Sequence, residues 1–367
     1  MTSHPPAEAH PGRDLELALD LQGRRERGRH FTAPAVAEQM ARYILPQAGG
    51  RVLDPACGAG GLLEAALGQG ADAALGVDLD REAVAVAAAT LGDRVTVREG
   101  DFLDIEPGGL GARFDGIVAN PPYLRHEGID ARRKGALRKR FGDRLAGAGA
   151  GRTDLFAYFL VHATDFLRPG GRLAFLSPAA WLTSRYGAAI RRFLAREYTV
   201  DHVLESVAEP WFFEARTRAT LVLARRGAPP AGHRVSFTRL HRPLTPASAL
   251  PSPAAAVDAA SLQDGGPWGG YLRGCEELEA LHTALPDAWV PLGDLVEPRF
   301  GLKTGADRFF VFRDGRNRDG DRWRGATRHL RPLVLSPMEL HGLEVDPRAL
   351  PRTVLVLDPG EPLPAAA

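Results

Sequence analysis

Cysteine is nearly missing from this chain: its 367 residues hold two, Cys57 and Cys275, far apart in sequence. Two such cysteines make neither a disulfide framework nor a zinc-ligand spacing. Long apolar runs are also lacking. No stretch is long enough to span a bilayer, and Met1 to His10 has no signal-peptide core. Charge of one sign does not dominate either, since 46 Lys and Arg stand against 45 Asp and Glu. A net charge of +1 neither demands nor excludes nucleic acid. These absences predict a cytoplasmic protein without membrane span or metal centre. The remaining composition, 44% hydrophobic and 25% charged, is that of an ordinary globular protein long enough for two domains.

The most informative stretch is Phe114-Asp115-Gly116-Ile117-Val118-Ala119-Asn120-Pro121-Pro122-Tyr123. Phe114 to Ala119 reads as a buried strand, and two consecutive prolines cannot continue a ladder because neither offers an N–H. The Pro-Pro step stiffens the backbone and holds Asn120 and Tyr123 at the strand's carboxyl end, where ligands bind in open α/β sheets. An Asn amide oxygen beside a rigid backbone carbonyl makes two acceptors suited to a planar amino group. Tyr123 could stack on the ring carrying that group, or it could be a packing residue on a Pro-rich loop.

Upstream, Arg51 to Asp54 reads as a strand, Pro55-Ala56-Cys57-Gly58-Ala59-Gly60-Gly61 as a Gly-rich turn, and Leu62 to Leu67 as a helix. Glycines allow close backbone approach, and the helix start supplies N–H donors. No Gly-Lys-Ser/Thr follows, so this is not a P-loop. Asp54 entering the turn disfavours a pyrophosphate and suits a ligand with a cationic end. A second strand ends in Asp78, 24 residues beyond Asp54, a spacing at which an acid reaches ribose hydroxyls. A third leads into Gly100-Asp101-Phe102, where Asp101 could accept from an adenine amino group and Phe102 could flank its ring. Turn formation and helix capping are the structural alternatives for these acids, with Asp80 a better cap than Asp78.

Ahead of these units, Thr32 stands where an N-cap belongs, Pro34 fits a first turn, and Val36, Met40 and Ile44 follow helical periodicity. Beyond the Pro-Pro step, Leu124 to Arg152 is strongly basic. Arg132, Arg133, Lys134, Lys139 and Arg140 are placed to grip a phosphate backbone, although such runs are more often solvated faces. An amphipathic helix opening at Thr153 and running through Phe166, a tight turn at Arg168 to Arg172 and a strand at Leu173 to Leu176 follow. The pair His202 to Val207 and Ala219 to Ala224 is expected to close the sheet antiparallel, with Pro210-Trp211-Phe212-Phe213 exposed between them. Residues 228–270 read as a linker containing a strand-like Arg234 to Leu240, and Tyr271 to Leu285 reads as a helix.

Taken together, these motifs resemble the N6-adenine DNA methyltransferases of bacterial restriction–modification and defence systems. The resemblance covers Gly28 to Arg226, and more loosely Leu292 to Leu335. It implies a Rossmann-like α/β fold with a mostly parallel seven-stranded sheet, S-adenosylmethionine as cofactor, and double-stranded DNA as substrate. A small mixed α+β recognition domain would follow, and a cognate restriction or specificity partner is implied as well. On its pattern, residues 1–27 are a flexible lead-in, 28–227 the methyltransferase domain and 271–367 part of the recognition domain. Phe31, Thr32, Asp54, Ala56, Gly58, Asp78, Asp101 and Phe102 take the cofactor positions; Ala33 stands where the family usually has Pro. Asn120, Pro121, Pro122 and Tyr123 take the catalytic ones, with Tyr123 and Phe213 stacking on the flipped base. Family members continue well beyond this length, so either this is a fragment or specificity is expected from a partner or another chain. Two other readings stand: a methyltransferase sharing Asn-Pro-Pro-Tyr that acts on protein glutamine or ribosomal RNA, and a non-catalytic binding remnant.

Overall fold

The structure, a computed structural model, describes residues 32–145, 153–207, 211, 218–245, 250, 252–273, 284–285, 290, 307–314, 316–317, 329–335 and 346–356. The chain divides into two units, Met1–Pro286 and Asp287–Ala367.

At the centre of the first unit β1 (Arg51–Asp54) has a parallel neighbour on each side, β2 (Ala73–Asp78) and β4 (Phe114–Ala119). The sheet extends through β3 (Val95–Glu99) on one side and β5 (Leu167–Pro178) on the other, all parallel. Strands buried on both faces need apolar residues at successive positions, and these strands have them. Leu53, Ile117, Ala119, Leu173 and Phe175 pack into one core, while Val52, Val118, Ala174 and Leu176 pack into the other. The second core is covered by α1 (Pro34–Ile44) and α2 (Gly61–Gly68) through Val36, Met40, Ile44, Leu62 and Ala66. The first is covered by α5 (Leu155–Phe166) and α6 (Gly187–Glu197), which bury Phe156, Phe159, Ile190 and Phe193. The crossovers α3 (Arg81–Leu91) and the basic α4 (Ala131–Phe141) complete the helices described in this unit.

The sheet order is β3-β2-β1-β4-β5-β7-β6-β8-β9. Here β7 (Ala219–Arg226) inserts antiparallel between β5 and β6 (Tyr198–Ser206), as expected of the pair His202 to Val207 and Ala219 to Ala224. Two strands exceed the expected seven. β8 (Arg234–Leu240) pairs parallel to β6, and β9 (Ala255–Asp258) pairs antiparallel to β8. The stretch 228–270 is therefore not a linker. Its Ala- and Pro-rich composition hides Val235, Phe237, Leu262 and Trp268, which are buried in the first core. Other local expectations also shift. The turn at Arg168 to Arg172 is a bulge inside β5, with Gly170 at φ 72 and the register jumping from Leu167 to Arg172. Of the helix expected from Tyr271, Tyr271–Arg273 forms a single 3-10 turn, and most of the remainder lies outside the described residues.

The second unit has a four-stranded antiparallel sheet, order β11-β10-β13-β12, built from β10 (Val311–Arg313), β11 (Arg316–Asn317), β12 (Leu330–Pro332) and β13 (Arg352–Leu355). Phe312 and Leu355 are its buried centre, and α7 (Asp307–Phe310) leads into β10.

One close approach seats the Gly-rich turn on the sheet. The Cys57 amide donates to the Val77 carbonyl at 3.0 Å, which brings the turn down over β2. A Cβ on Gly76 would stand 2.6 Å from the Cys57 sulfur and 2.8 Å from Leu63 Cδ1, so only glycine fits. Gly76→Ala should therefore lower unfolding free energy by about 1–3 kcal/mol, the usual cost of overpacking. A urea midpoint equal to that of the parent would contradict this packing.

Candidate active site

The strand order reverses direction between β1 and β4, the point at which the following loops part and leave a crevice at the carboxyl ends of the strands. Polar residues gather at those ends. Asp54 closes β1 and is 1% exposed. Its Oδ1 accepts from the Ala56 amide at 3.1 Å, while Oδ2 is buried with no hydrogen-bond partner among the described residues. Burial pushes this carboxyl up to about 8; the Ala56 amide pulls it back in part, and the nearby Asp78 charge adds to the rise.

Asp78, at the end of β2, braces two turns at once. Its Oδ2 accepts from the Gly58 amide at 2.8 Å and its Oδ1 from the Asp80 amide at 2.9 Å. Gly58 has φ 50, the left-handed conformation that brings its N–H round to this carboxylate. Asp80, as expected, caps α3 through the amides of Glu82 and Ala83. Cys57 is buried in the same turn, and burial raises its thiol, so it is not an activated nucleophile.

Beyond β3, Asp101 caps the short 3-10 turn Phe102–Asp104 by accepting from the Leu103 amide at 2.9 Å. Phe102 departs from the expectation. It is 1% exposed and packs against Phe159, His162 and Phe166, with centroids 5.7, 4.8 and 5.0 Å away. Its ring belongs to the core, where apolar contacts on α5 outcompete a place beside a ligand.

At the end of β4, the Asn120 side-chain nitrogen donates to the Thr32 hydroxyl at 3.0 Å. Thr32 is thus not the N-cap of α1. Ala33 takes that position without a side-chain bond, and the Thr32 hydroxyl is given to the neighbouring loop. Pro121 is buried, Pro122 and Tyr123 are half-buried, and Tyr123 packs at the border of the α1 core. Burial raises the Tyr123 hydroxyl well above its ordinary range, which keeps it neutral. Leu124 accepts from the Leu155 amide at 3.0 Å, and Asp154 Oδ1 accepts from the His126 amide at 3.0 Å. Nothing in the amino-acid order signals this anchor, and Asp154, at the N-cap position of α5, makes no capping bond there.

The basic helix α4 does not face solvent on every side. Leu137 and Phe141 are buried, and on the same face Arg133 pairs with Asp101 and Asp104. Arg140 donates to the Leu103 carbonyl at 2.6 Å and pairs with Glu106 at 3.1 Å. The structure thus corrects two of the five phosphate-gripping candidates: Arg133 and Arg140 have partners within the fold, at positions 101–106. Arg132 and Lys139 are exposed on another face, and Lys134 is half-buried. Trp211, expected to be exposed, is 1% exposed, and its carbonyl accepts from the Ala33 amide at 3.3 Å. Phe31 and Phe213 lie outside the described residues.

Residues 92–212 match the family described as Eco57I restriction-modification methylase, and residues 36–143 match the methyltransferase small domain. The chain is thus similar to restriction–modification DNA methyltransferases. It is 30% identical over 248 residues to the type II methyltransferase M.PaeR7I of Pseudomonas aeruginosa, covering 64% of this chain and 41% of that protein. M.BanIII of Aneurinibacillus aneurinilyticus is 29% identical over 223 residues, covering 52% and 37%. This chain thus spans about two-fifths of the length of these relatives. A Listeria monocytogenes structure described as a class I S-adenosylmethionine-dependent methyltransferase superposes with a TM-score of 0.50 at 18% identity, covering 65% of this chain and 74% of that one. The first unit therefore has the class I methyltransferase fold, and family and fold imply S-adenosylmethionine as cofactor. The site fits that group: a buried carboxylate oxygen lacking a donor, at a Gly-rich turn, suits an ammonium. Among the described residues no cluster could hold a metal ion, and no helix is long and apolar enough to cross a membrane.

A folded carboxyl raised to about 8 favours the protonated native state. Its stability contribution is whole below the unfolded carboxyl value of about 4 and is lost as pH rises through about 8. Without cofactor, thermal stability should therefore fall across that window, and Asp54→Asn should flatten the fall. Parallel melting curves for parent and variant from pH 5 to 9 check it.

Proposed function

We propose that this chain transfers a methyl group from S-adenosylmethionine to the N6 amino group of an adenine flipped out of double-stranded DNA. The observation that carries this reading is Asn120-Pro121-Pro122-Tyr123 at the end of β4, next to the buried, donor-seeking carboxylate that ends β1. The family match supports a DNA substrate. Asn-Pro-Pro-Tyr, whose two acceptors suit an exocyclic amine, supports the choice of adenine N6.

The cofactor supplies an electrophilic methyl group on a sulfonium. Asp54 would hold its ammonium, Asp78 its ribose hydroxyls and Asp101 its adenine amino group, with the amides of the Gly-rich turn lining the approach. With its nitrogen on Thr32, the Asn120 amide turns its oxygen to the opposite edge. That oxygen and the Pro121 carbonyl would accept the two amino hydrogens of the target base. An adenine amino nitrogen is a poor nucleophile because its lone pair is conjugated into the ring. Two acceptors held by Pro-Pro geometry favour a more tetrahedral nitrogen and stabilise the positive charge that develops on it. Tyr123, neutral and half-buried, would stack on the extruded base. Positioning provides the rest of the acceleration. Within a restriction–modification or related defence system this mark would shield sites from a cognate nuclease, with a specificity partner supplying site recognition, in the cytoplasm where the DNA lies.

The decisive assay is transfer of labelled methyl groups to unmethylated duplex DNA, with ribosomal RNA and glutamine-bearing protein as parallel acceptors and nucleoside analysis of the product. Labelled N6-methyladenine is the expected product; label confined to RNA or protein would replace the substrate assignment. Asn120→Ala should cut transfer by at least about a hundredfold, the lower range for losing one placed polar group in a reaction centre, while cofactor binding stays intact. Turnover retained in that variant would sink the mechanism.

Exposed Arg132 and Lys139 lie on one flank of α4 and are assigned to phosphate contacts. Replacing both with Ala should weaken DNA binding equally across sequences and reduce the slope of log K against log salt by about 2. Titrations at several salt concentrations measure it, and an unaltered slope would remove α4 from the DNA interface.

A further inference from the structure

The Asp101 carboxylate is held from two directions. Oδ1 accepts from the Leu103 amide at 2.9 Å, within its own turn. Oδ2 takes Arg133 Nη2 at 2.5 Å from α4, 32 residues away in sequence. The same guanidinium reaches Asp104 Oδ1 at 2.6 Å through Nη1 and so spans both acids. A planar fork with fixed donor directions suits this bridging, which a lysine cannot reproduce. Asp101 and Arg133 are each about a quarter exposed, 26% and 27%, so solvent screens their attraction only in part.

The turn itself does not depend on Arg133. Arg140 donates to the Leu103 carbonyl at 2.6 Å and to the Ile105 carbonyl at 3.4 Å. His162, kept neutral by burial, donates from Nε2 to the Ile105 carbonyl at 2.8 Å. Phe102 and Leu103 are buried in the core. With the backbone fixed by these groups, what Arg133 adds is the setting of one carboxylate. It also offsets the repulsion between Asp101 and Asp104, which its two nitrogens bridge.

We propose that Arg133 is a positioning residue for the cofactor: it orients Asp101 to accept a hydrogen bond from the exocyclic amino group of the cofactor's adenine. A carboxylate has about four lone-pair sites, so Asp101 can accept from Leu103, Arg133 and one amino hydrogen together. The inference rests on the reading of Asp101 as the adenine acceptor. It makes the helix that carries the exposed Arg132 and Lys139 part of the cofactor site as well, through its neighbouring face.

The test is calorimetric binding of S-adenosylhomocysteine and of its 6-oxo counterpart, S-inosylhomocysteine, to the full chain and its variants. The amino form should bind the parent about tenfold more tightly or better, the worth of one hydrogen bond to a charged acceptor. In Arg133→Ala that preference should shrink to about threefold or less, because the acceptor is no longer held. Arg133→Lys should keep an intermediate preference, since the charge remains and the fork is lost. A general weakening of both ligands with the ratio preserved would overturn the proposal and leave Arg133 a purely structural tie. A parent that binds the two ligands equally would instead overturn the assignment of Asp101 to adenine, on which the proposal depends.

Discussion

The reversal of strand order between β1 and β4 is the constraint from which the site follows. Both strands are central and parallel, in register from Val52 with Gly116 to Leu53 with Ile117. Parallel central strands are covered on both faces, so their interiors must be apolar throughout. Asp54 comes at the last position of β1 and Asn120 directly after β4, where the sheet ends and the backbone turns away. Gly116 keeps this centre tight: a Cβ there would lie 2.9 Å from the end of the Ile44 side chain, so α1 rests directly on β4. That contact brings the chain just before α1 close enough for Thr32 to meet Asn120.

Most polar groups at these strand ends are satisfied within the fold, and Asp54 Oδ2 is the exception among the acids there. A buried carboxylate oxygen without a donor costs about 1–3 kcal/mol, and a second acid stands nearby in Asp78. Asp78 satisfies its own oxygens with the amides of Gly58 and Asp80, which leaves Asp54 as the group that seeks a cation. A large two-sided core can tolerate such a cost. Cys57, Leu63 and Ala74 cluster at the turn, and the absent Cβ of Gly76 lets it settle on β2.

α4 shows how a run of like charges can serve two ends. Arg133, Leu137, Arg140 and Phe141 recur at helical spacing and form one face, two apolar members for the core and two guanidinium groups for the turn at 101–106. Arg132 and Lys139 sit seven residues apart on a neighbouring face, open to solvent. The distinction is angular, so composition alone cannot make it. A helix amphipathic in this sense ties the turn at 101–106 to the core on one face and leaves basic side chains in solvent on the next.

The local chemistry was legible in the amino-acid order because its causes are local. A double proline ends a strand, glycines mark a turn, an acid after a hydrophobic run sits at a strand end, and Asp80 caps a helix through its own next residues. These signals placed Asp54, Asp78, Asp101 and Asn120 at or just past the ends of their strands and carried the family resemblance. Tertiary structure alone decided which polar groups meet. Thr32 finds Asn120 across 88 residues, and Arg133 finds Asp101 across 32. It also turned Phe102 into the core and drew β8 and β9 into the sheet. The reason is that periodicity and turn chemistry act over a few residues. Strand order and helix rotation, which set the partners of a hydroxyl, an amide or a guanidinium, are settled only when the whole core packs.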